Sequence, residues 1–328
     1  MKNLTRKLIL LLLIANAHFV SAQIIGRDAY LIGDNLNIAI HGIKGNEGAQ
    51  SMDSFHERDD GRDVSCGLVA DVDDTDWDIS EMYGDYFSVG TPENGFGILM
   101  NGLDYSNNYN LNQIDSAALT SYSNGGNCIN VCWQGEVEGL AIKVNYQLKK
   151  DALYYKTTVK LINTTAEDLV DLYYYRSFDP DNNQVMTGDF KTTNTIVSQP
   201  DSACQKALVS ATQELPVPSY LGFGAIGENF RVSMGGFSNR DAEDIWNGEG
   251  GLTGIEDSVV VEVDEAISLA YKTDLLTGDS VTFSFIIAVN EEAMNNALPD
   301  LYRINYLTDE GEHGVAWNAC TEVDTVKV

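Results

Sequence analysis

Between Ile142 and Leu161 apolar and polar side chains alternate with a period of two, and this pattern most narrows the folds open to the chain. Ile142, Val144, Tyr146 and Leu148 form one row, with Lys143, Asn145 and Gln147 between them. After Lys149, Lys150 and Asp151, a second row follows in Leu153, Tyr155, Thr157, Val159 and Leu161. Successive side chains of a strand point to opposite sides, so each of these segments buries one row. The residues between them tolerate turn geometry. A further turn over residues 163–168 leads into a third segment, 169–176, and the three together predict an antiparallel meander.

Other strands are predicted at residues 35–40, 67–72, 97–100, 230–234, 259–263, 267–271 and 281–289. In the last, Val281, Phe283, Phe285, Ile287 and Val289 make one row, and the other row turns apolar at Ile286 and Ala288. A strand apolar on both sides belongs inside a sheet that something covers. One helix is predicted, at residues 291–302, with Ala293, Ala297, Leu298 and Leu301 at helical spacing. Asn290 is its N-cap, and Pro299 disturbs its last turns. The fold class is all-β: a large antiparallel β-sandwich with one short helix near the C-terminus.

The first residues fix where this fold works. Lys2, Arg6 and Lys7 precede an apolar run from Leu8 to Ile14, and Val20, Ser21 and Ala22 end the segment. That is the layout of a secretory signal peptide, with an apolar run too short to span a bilayer. The expected organisation is a signal peptide at 1–22, a sandwich domain at 23–312, and a tail or the start of a further strand at 313–328. Cleavage after Ala22 removes three basic residues and no acidic ones, taking the formal charge from −29 to −32. Such a charge argues against nucleic acid and anionic membranes as partners and fits a solvated, cation-tolerant surface. No later stretch is long and apolar enough for a transmembrane helix, so a secreted or cell-surface location is expected.

Five cysteines remain after cleavage: Cys66, Cys128, Cys132, Cys204 and Cys320. Disulfides persist outside the cytoplasm. In an extended strand the Cα atoms of Cys128 and Cys132 lie roughly 13 Å apart, whereas a disulfide needs less than about 7 Å. Unless the segment turns tightly, each needs a distant partner, and the odd count leaves at least one thiol free or paired between chains. No second closely spaced Cys or His pair accompanies them, as a zinc site would require.

The sharpest local signature runs from Tyr173 to Gln184. A strand ends at Arg176 and an Asp-Pro-Asp-Asn-Asn loop follows, rich in oxygen ligands. Asp179, Asp181 and Asn183 alternate as in the opening of a calcium loop, although Gln184 and Phe190 break the EF-hand pattern. These three are the candidate metal ligands, with calcium the candidate ion and an Asp/Asn turn the alternative; Arg176 is placed to pair with Asp179 or Asp181. A second acidic run spans Asp71 to Asp78, where Asp71 and Asp73 share a face, and a third surrounds Asp241, Asp244 and Trp246. Carboxylates this dense are either solvated or bridged by a cation. Trp77, Arg176 and Trp246 are the candidate ligand-binding residues, an indole face being able to stack on a sugar ring; the alternative for Trp77, Trp133 and Trp246 is the core. The mature chain has only His41, His56 and His313, none in a catalytic motif.

The block from Leu140 to Asp181 resembles the central strands of the galactose-mutarotase-like supersandwich. The stretch from Lys156 to Asn163, followed by Leu169 to Phe178, has the rhythm of its paired long strands with an Asn-containing turn. The resemblance implies an active-site edge on the next strand, where Tyr175, Arg176 and Ser177 occupy the place of the mutarotases' catalytic His. The whole chain is also similar to non-catalytic N-terminal modules of exported Bacteroidota surface proteins. That similarity is carried by the Ser21-Ala22-Gln23 junction, the Asp-Pro-Asp-Asn-Asn loop and the segment Thr192 to Ile196. The expected function is a secreted or surface, non-catalytic binding or structural module, adhesin-like and calcium-stabilised. The alternative is a carbohydrate-binding or carbohydrate-active protein of supersandwich fold. Expected partners are extracellular polysaccharide or surface proteins, and no nucleic acid.

Overall fold

Strands built on that alternation account for most of the chain. The structure, a computed structural model, describes residues 23–48, 56–57, 63–64, 67–75, 77, 86, 94–108, 110–182, 184–201, 205–214, 218–237, 239–307 and 325–327. The expected signal peptide, Asn183, Cys66, Cys204, Cys320 and most of 313–328 lie outside them. In chain order the first strands are β1 (Gln23–Ile25), β2 (Asp28–Ile32), β3 (Leu36–Ile40), β4 (His56–Glu57), β5 (Asp63–Val64) and β6 (Leu68–Ala70). There follow β7 (Asn94–Met100), β8 (Leu103–Ser106), β9 (Asp115–Gly125), β10 (Cys128–Val137), β11 (Leu140–Lys149), β12 (Tyr154–Asn163) and β13 (Leu169–Phe178). A single helical turn α1 (Gln184–Thr187) leads to β14 (Thr192–Ser198), β15 (Lys206–Gln213), β16 (Ser219–Ile226) and β17 (Phe230–Met234). Helix α2 (Ala242–Asn247), β18 (Val260–Val263), β19 (Ile267–Leu275), β20 (Ser280–Ala288), helix α3 (Glu291–Leu307) and β21 (Thr325–Lys327) complete it.

A ten-stranded sheet, ordered β18-β14-β15-β16-β20-β12-β11-β10-β9-β21, faces a five-stranded sheet ordered β17-β19-β13-β7-β8. A four-stranded sheet, β1-β2-β3-β6, and the small β4-β5 pair accompany them. Every pairing is antiparallel, as the alternation requires. The inner rows of β11 and β12 fall where the periodicity puts them: Ile142, Val144, Tyr146, Leu148, Tyr155, Val159 and Leu161 are buried. From the facing sheet Tyr174 stacks on Phe96 at 5.7 Å and meets Phe283 edge-on at 5.3 Å. Each fully buried side chain of this size contributes about 1.5–3 kcal/mol by leaving water.

Strand β20 is apolar on both sides for a visible reason. Phe283, Phe285, Ile287 and Val289 enter the main core, while Ile286 and Ala288 meet Met294, Ala297, Leu298 and Leu301 of α3 on the other face. Asn290 caps that helix, accepting from the Ala293 N–H at 2.9 Å. Pro299 lies inside α3, and the helix extends to Leu307, beyond the predicted end. The short helix α2, set in what reads as an acidic loop, is an addition to the expected elements. Its N-cap Asp241 accepts from the Glu243 and Asp244 N–H groups, and Gly248 closes it at φ 69°.

The three larger sheets meet at one buried ion pair. Arg176, on β13, donates to Glu47 Oε2, Asn94 Oδ1 and the carbonyls of Gly95 and Ser177. Tyr155 of β12 donates to Glu47 Oε1 at 2.6 Å, and Tyr146 of β11 donates to the Gly45 carbonyl. Asn94 returns a bond to the Glu47 carbonyl at 2.7 Å. Gly45, at φ +68°, lies flat on the Trp133 ring, where a Cβ would sit 2.4 Å from the nearest ring carbon; no other residue fits. The sequence places Arg176 beside Asp179 and Asp181 as a ligand-binding residue, and the structure corrects this. Strand β13 continues to Phe178, and its inward row is Tyr174, Arg176 and Phe178, so the guanidinium points into the core, 1% exposed.

Removing one partner of such a pair leaves the other charged, buried and unmatched, which costs about 3–5 kcal/mol. Arg176→Met is therefore expected to lose stability of that order in urea unfolding. A loss below about 1 kcal/mol would show that the pair does not hold the sheets together.

Candidate functional site

Apart from the Arg176 network, three places among the described residues bring polar side chains together. The first is an open cleft of about 490 Å³ between β8, at the edge of the five-stranded sheet, and α2. Asp104, Ser106, Gln113, Asn239, Arg240 and Asp241 line it, with Leu111 and Gly250. Ser106 is held from below by the Tyr175 hydroxyl at 2.9 Å, and Gln113 Oε1 accepts from the Ser106 N–H. Asn239 is locked by donating to Asp244 at 2.9 Å and to the Gly250 carbonyl at 3.1 Å. These bonds fix the floor and one wall.

Asp104 is the cleft's unusual carboxylate. Desolvation in the cleft, then the charge of Asp241, and behind it Asp244 and Glu243, push its pKa up to about 6. The Ala242 N–H, which it accepts at 3.4 Å, opposes the rise. At neutral pH the cleft therefore holds a carboxylate readily protonated or neutralised, beside amide and guanidinium donors.

The second place joins the two big sheets at one end. Asp179 and Asp181, just past β13, meet Asp264 from the β18–β19 connection, with carboxylate oxygens of all three within 4.8 Å of one another. Asp179 and Asp181 are buried, and the turn is closed by Asp181 N–H to the Asp179 carbonyl and Gln184 N–H to the Asp181 carbonyl. Burial, and then Asp189, raise the Asp264 pKa. Oxygen-only ligands of this kind suit a hard cation such as calcium. Two of the three sequence-predicted ligands thus come together, and the third, Asn183, lies outside the described residues. Asp264 is the residue that sequence reasoning missed. Its one signal is an acid in the turn between two predicted strands; what brings it here is the register Phe178↔Ile267.

The third place is the outer face of the ten-stranded sheet, where register builds polar rows across the strands. One row reads Gln134, Lys143, Lys160 and Thr282; the next reads Cys132, Asn145, Thr158 and Ser284; a third reads Asn130, Gln147 and Lys156. Cross-strand bonds lace them: Cys132 Sγ to Asn145 at 3.3 Å, Gln147 to Asn130 at 3.0 Å, and Thr158 with Ser284 at 2.8 Å. Cys132 is a free thiol, with its pKa raised by burial, whereas Cys128 is disulfide-bonded. The extended backbone of β10 keeps the two from pairing with each other.

The other candidates have separate surroundings. Trp77 donates its indole N–H to the Asp34 carbonyl at 2.8 Å. In the run before it, Asp71 is buried and accepts from Thr75 and from the Trp77 N–H, so that carboxylate organises a turn. Trp246 packs edge-on to Tyr173 at 6.3 Å, and the Arg231 guanidinium covers its ring at 4.8 Å. Trp133 is core, fully buried against Phe96. Trp77, Arg176 and Trp246 therefore do not form one site.

No protein-family model matches the chain, and no curated protein matches it in sequence. Solved structures share its general architecture at low similarity. Heparan sulfate lyase HepC from Pedobacter heparinus aligns over 84% of this chain and 37% of its own, with 8% identity and a TM-score of 0.42. The GH36 α-galactosidase AgaB from Geobacillus stearothermophilus aligns over 87% and 43%, with 10% identity and a TM-score of 0.41. A galactose mutarotase-like protein from Clostridium acetobutylicum aligns over 82% and 97%, with 9% identity and a TM-score of 0.40. The chain thus spans well under half the length of the lyase and the galactosidase. Likenesses this distant carry no argument for a ligand or a reaction. The sheet order itself defines the class, an all-β antiparallel sandwich. No helix among the described residues is long and apolar enough to cross a membrane.

The raised pKa of Asp104 has a sign that can be checked. Its protonated form is favoured in the fold, so its contribution is fully present below about pH 4 and is lost as pH rises through about 6. Asp104→Asn is expected to raise Tm at pH 8 and leave it unchanged near pH 4. An equal effect at both values would show that the carboxylate is not strained by its neighbours.

Proposed function

We propose that this chain is an exported extracellular binding module that takes a hydroxylated, saccharide-like ligand in the Asp104 cleft. The observation that carries the reading is the cleft itself, in which carboxylate, amide, hydroxyl and guanidinium groups face an open volume of about 490 Å³. Sugar hydroxyls both donate and accept, and this mixture supplies both kinds of partner. Carboxylates of Asp104 and Asp241 accept, Gln113 and Arg240 donate, and the locked Asn239 and Ser106 shape the wall. The role is binding, at the surface or in the medium, with extracellular polysaccharide as the partner class. A glycan-array screen of the mature chain tests it. Binding to at least one saccharide is expected, weakened at least about tenfold by Asp104→Ala with Gln113→Ala in a variant whose circular-dichroism spectrum matches the parent's. Absence of any bound saccharide, or binding indifferent to this double change, would overturn the reading.

Calcium has a structural role in the same proposal. The Asp179, Asp181 and Asp264 cluster lies where the end of β13 meets the β18–β19 turn, and a divalent ion there would clamp the two sheets while relieving three-way repulsion. Burial, and then Asp189, raise the Asp264 pKa, so the ionised form that would hold a cation fills only as pH rises above the ordinary carboxylate range. Millimolar calcium is expected to raise Tm at pH 8 by more than at pH 4, and Asp264→Asn to remove the difference. An unchanged Tm at pH 8, with no binding heat in calorimetry, would remove calcium from the proposal.

A further inference from the structure

The chain carries 49 acidic residues against 20 basic ones, so chance alone would scatter carboxylates over any exposed face. The outer face of the ten-stranded sheet departs from that expectation. Across its three central rows, from β9 through β10, β11 and β12 to β20, no position is acidic. Three are lysines: Lys143, Lys156 and Lys160. On this side Glu136 and Asp115 form the next row, the charge of Asp300 of α3 reaches Lys156 and Tyr154, and that of Asp151 reaches Tyr154.

Lys143 and Lys160 are directly opposite one another in the antiparallel register. Like charges placed so, with Cβ atoms about 5 Å apart, destabilise a strand pair. Among the described residues neither makes an ion pair, although acids are abundant in the chain. Lys143 is exposed and Lys160 half-buried. On β12, Lys156 lies four residues from Lys160, roughly 13 Å along the strand. Beside the three cations stand the amides of Gln134, exposed, and Gln147, half-buried, while Asn145 and Thr158 are buried beneath them in bonds to Cys132 and Ser284.

An unneutralised lysine pair kept in an otherwise anionic protein is explained by a ligand that supplies the missing charge. We infer that this face binds an anionic polysaccharide, its carboxylate or sulfate groups seated on Lys143, Lys160 and Lys156 and its ring hydroxyls on the flanking amides. The site is distinct from the Asp104 cleft, which lies on the five-stranded sheet. Charge screening over about 8 Å at physiological salt lets the patch act despite the negative whole. The surrounding acids also select against stiff, densely charged polyanions such as duplex DNA, whose phosphates would extend beyond the lysines.

Affinity electrophoresis and calorimetry of the mature chain test this with polygalacturonate, dextran sulfate, neutral dextran and a DNA duplex as probes. Retention by polygalacturonate or dextran sulfate is expected, weakening with salt and absent with dextran. Lys143→Gln with Lys160→Gln should weaken it at least about tenfold, while Lys143→Arg with Lys160→Arg retains it. Removing the repulsion leaves Tm of the Gln variant equal or higher, which verifies its folding. The inference is overturned if neither anionic polysaccharide binds, if the Gln variant binds like the parent, if dextran binds equally, or if DNA binds as tightly. Saccharide binding lost only in the Asp104 and Gln113 double variant would overturn this inference and leave the cleft reading standing.

Discussion

The buried bond between Arg176 and Glu47 organises this sandwich. A guanidinium and a carboxylate taken out of water are tolerable only when nearly every donor and acceptor is matched. Here the matching comes from separate parts of the chain: Asn94, Gly95 and Ser177 in the five-stranded sheet, Tyr155 in the ten-stranded sheet, and Glu47 itself from the loop after β3. Burial and the Glu47 charge push the Tyr155 pKa well upward, so its hydroxyl stays a donor over any ordinary pH. Apolar packing would let the sheets slide against one another with little penalty, whereas this network permits one alignment. The positions of the cleft, the acidic trio and the lysine rows all follow from that alignment.

Much of this was legible in the residues and some was not, for physical reasons. Strands β11, β12, β13 and β20 show their period of two because each buries one continuous row against the opposite sheet. Strand β16 hides because Gly222 and Gly224 interrupt its outward row. A Cβ at Gly224 would come within 2.6 Å of Met294 Sδ, so the glycine that weakens the strand signal is what lets α3 lie down on the sheet. The hairpin of β9 and β10 is hidden because the register shift near Cys132 and Trp133 puts Leu119 and Tyr122, three residues apart, on the same inner side of β9 and breaks its period of two. Helix α2 is six residues long and rich in acids, too short for a periodic signal.

At the sites, the limit was sequence distance. Asp179 and Asp181 announce themselves by spacing, but Asp264 joins them through a strand register that no local pattern encodes. Arg176 reads as a loop anchor because its neighbours are acidic, and only the extension of β13 to Phe178 turns it inward. The Asp104 cleft unites segments more than a hundred residues apart, and the opposition of Lys143 and Lys160 exists only once β11 and β12 are aligned. Local chemistry was therefore readable, and convergence was not.

The order of strands in the larger sheet also governs when the molecule can exist. Strand β20 lies between β12 and β16, so the two halves of the sheet have no mutual bond until residues 280–288 arrive to close the gap. A chain emerging from its N-terminus must hold both halves with raw edges exposed, then zip them shut at once with α3 folding over the seam. Assembly of this kind is slow, because pairing across the seam waits on contacts between strands far apart in the chain.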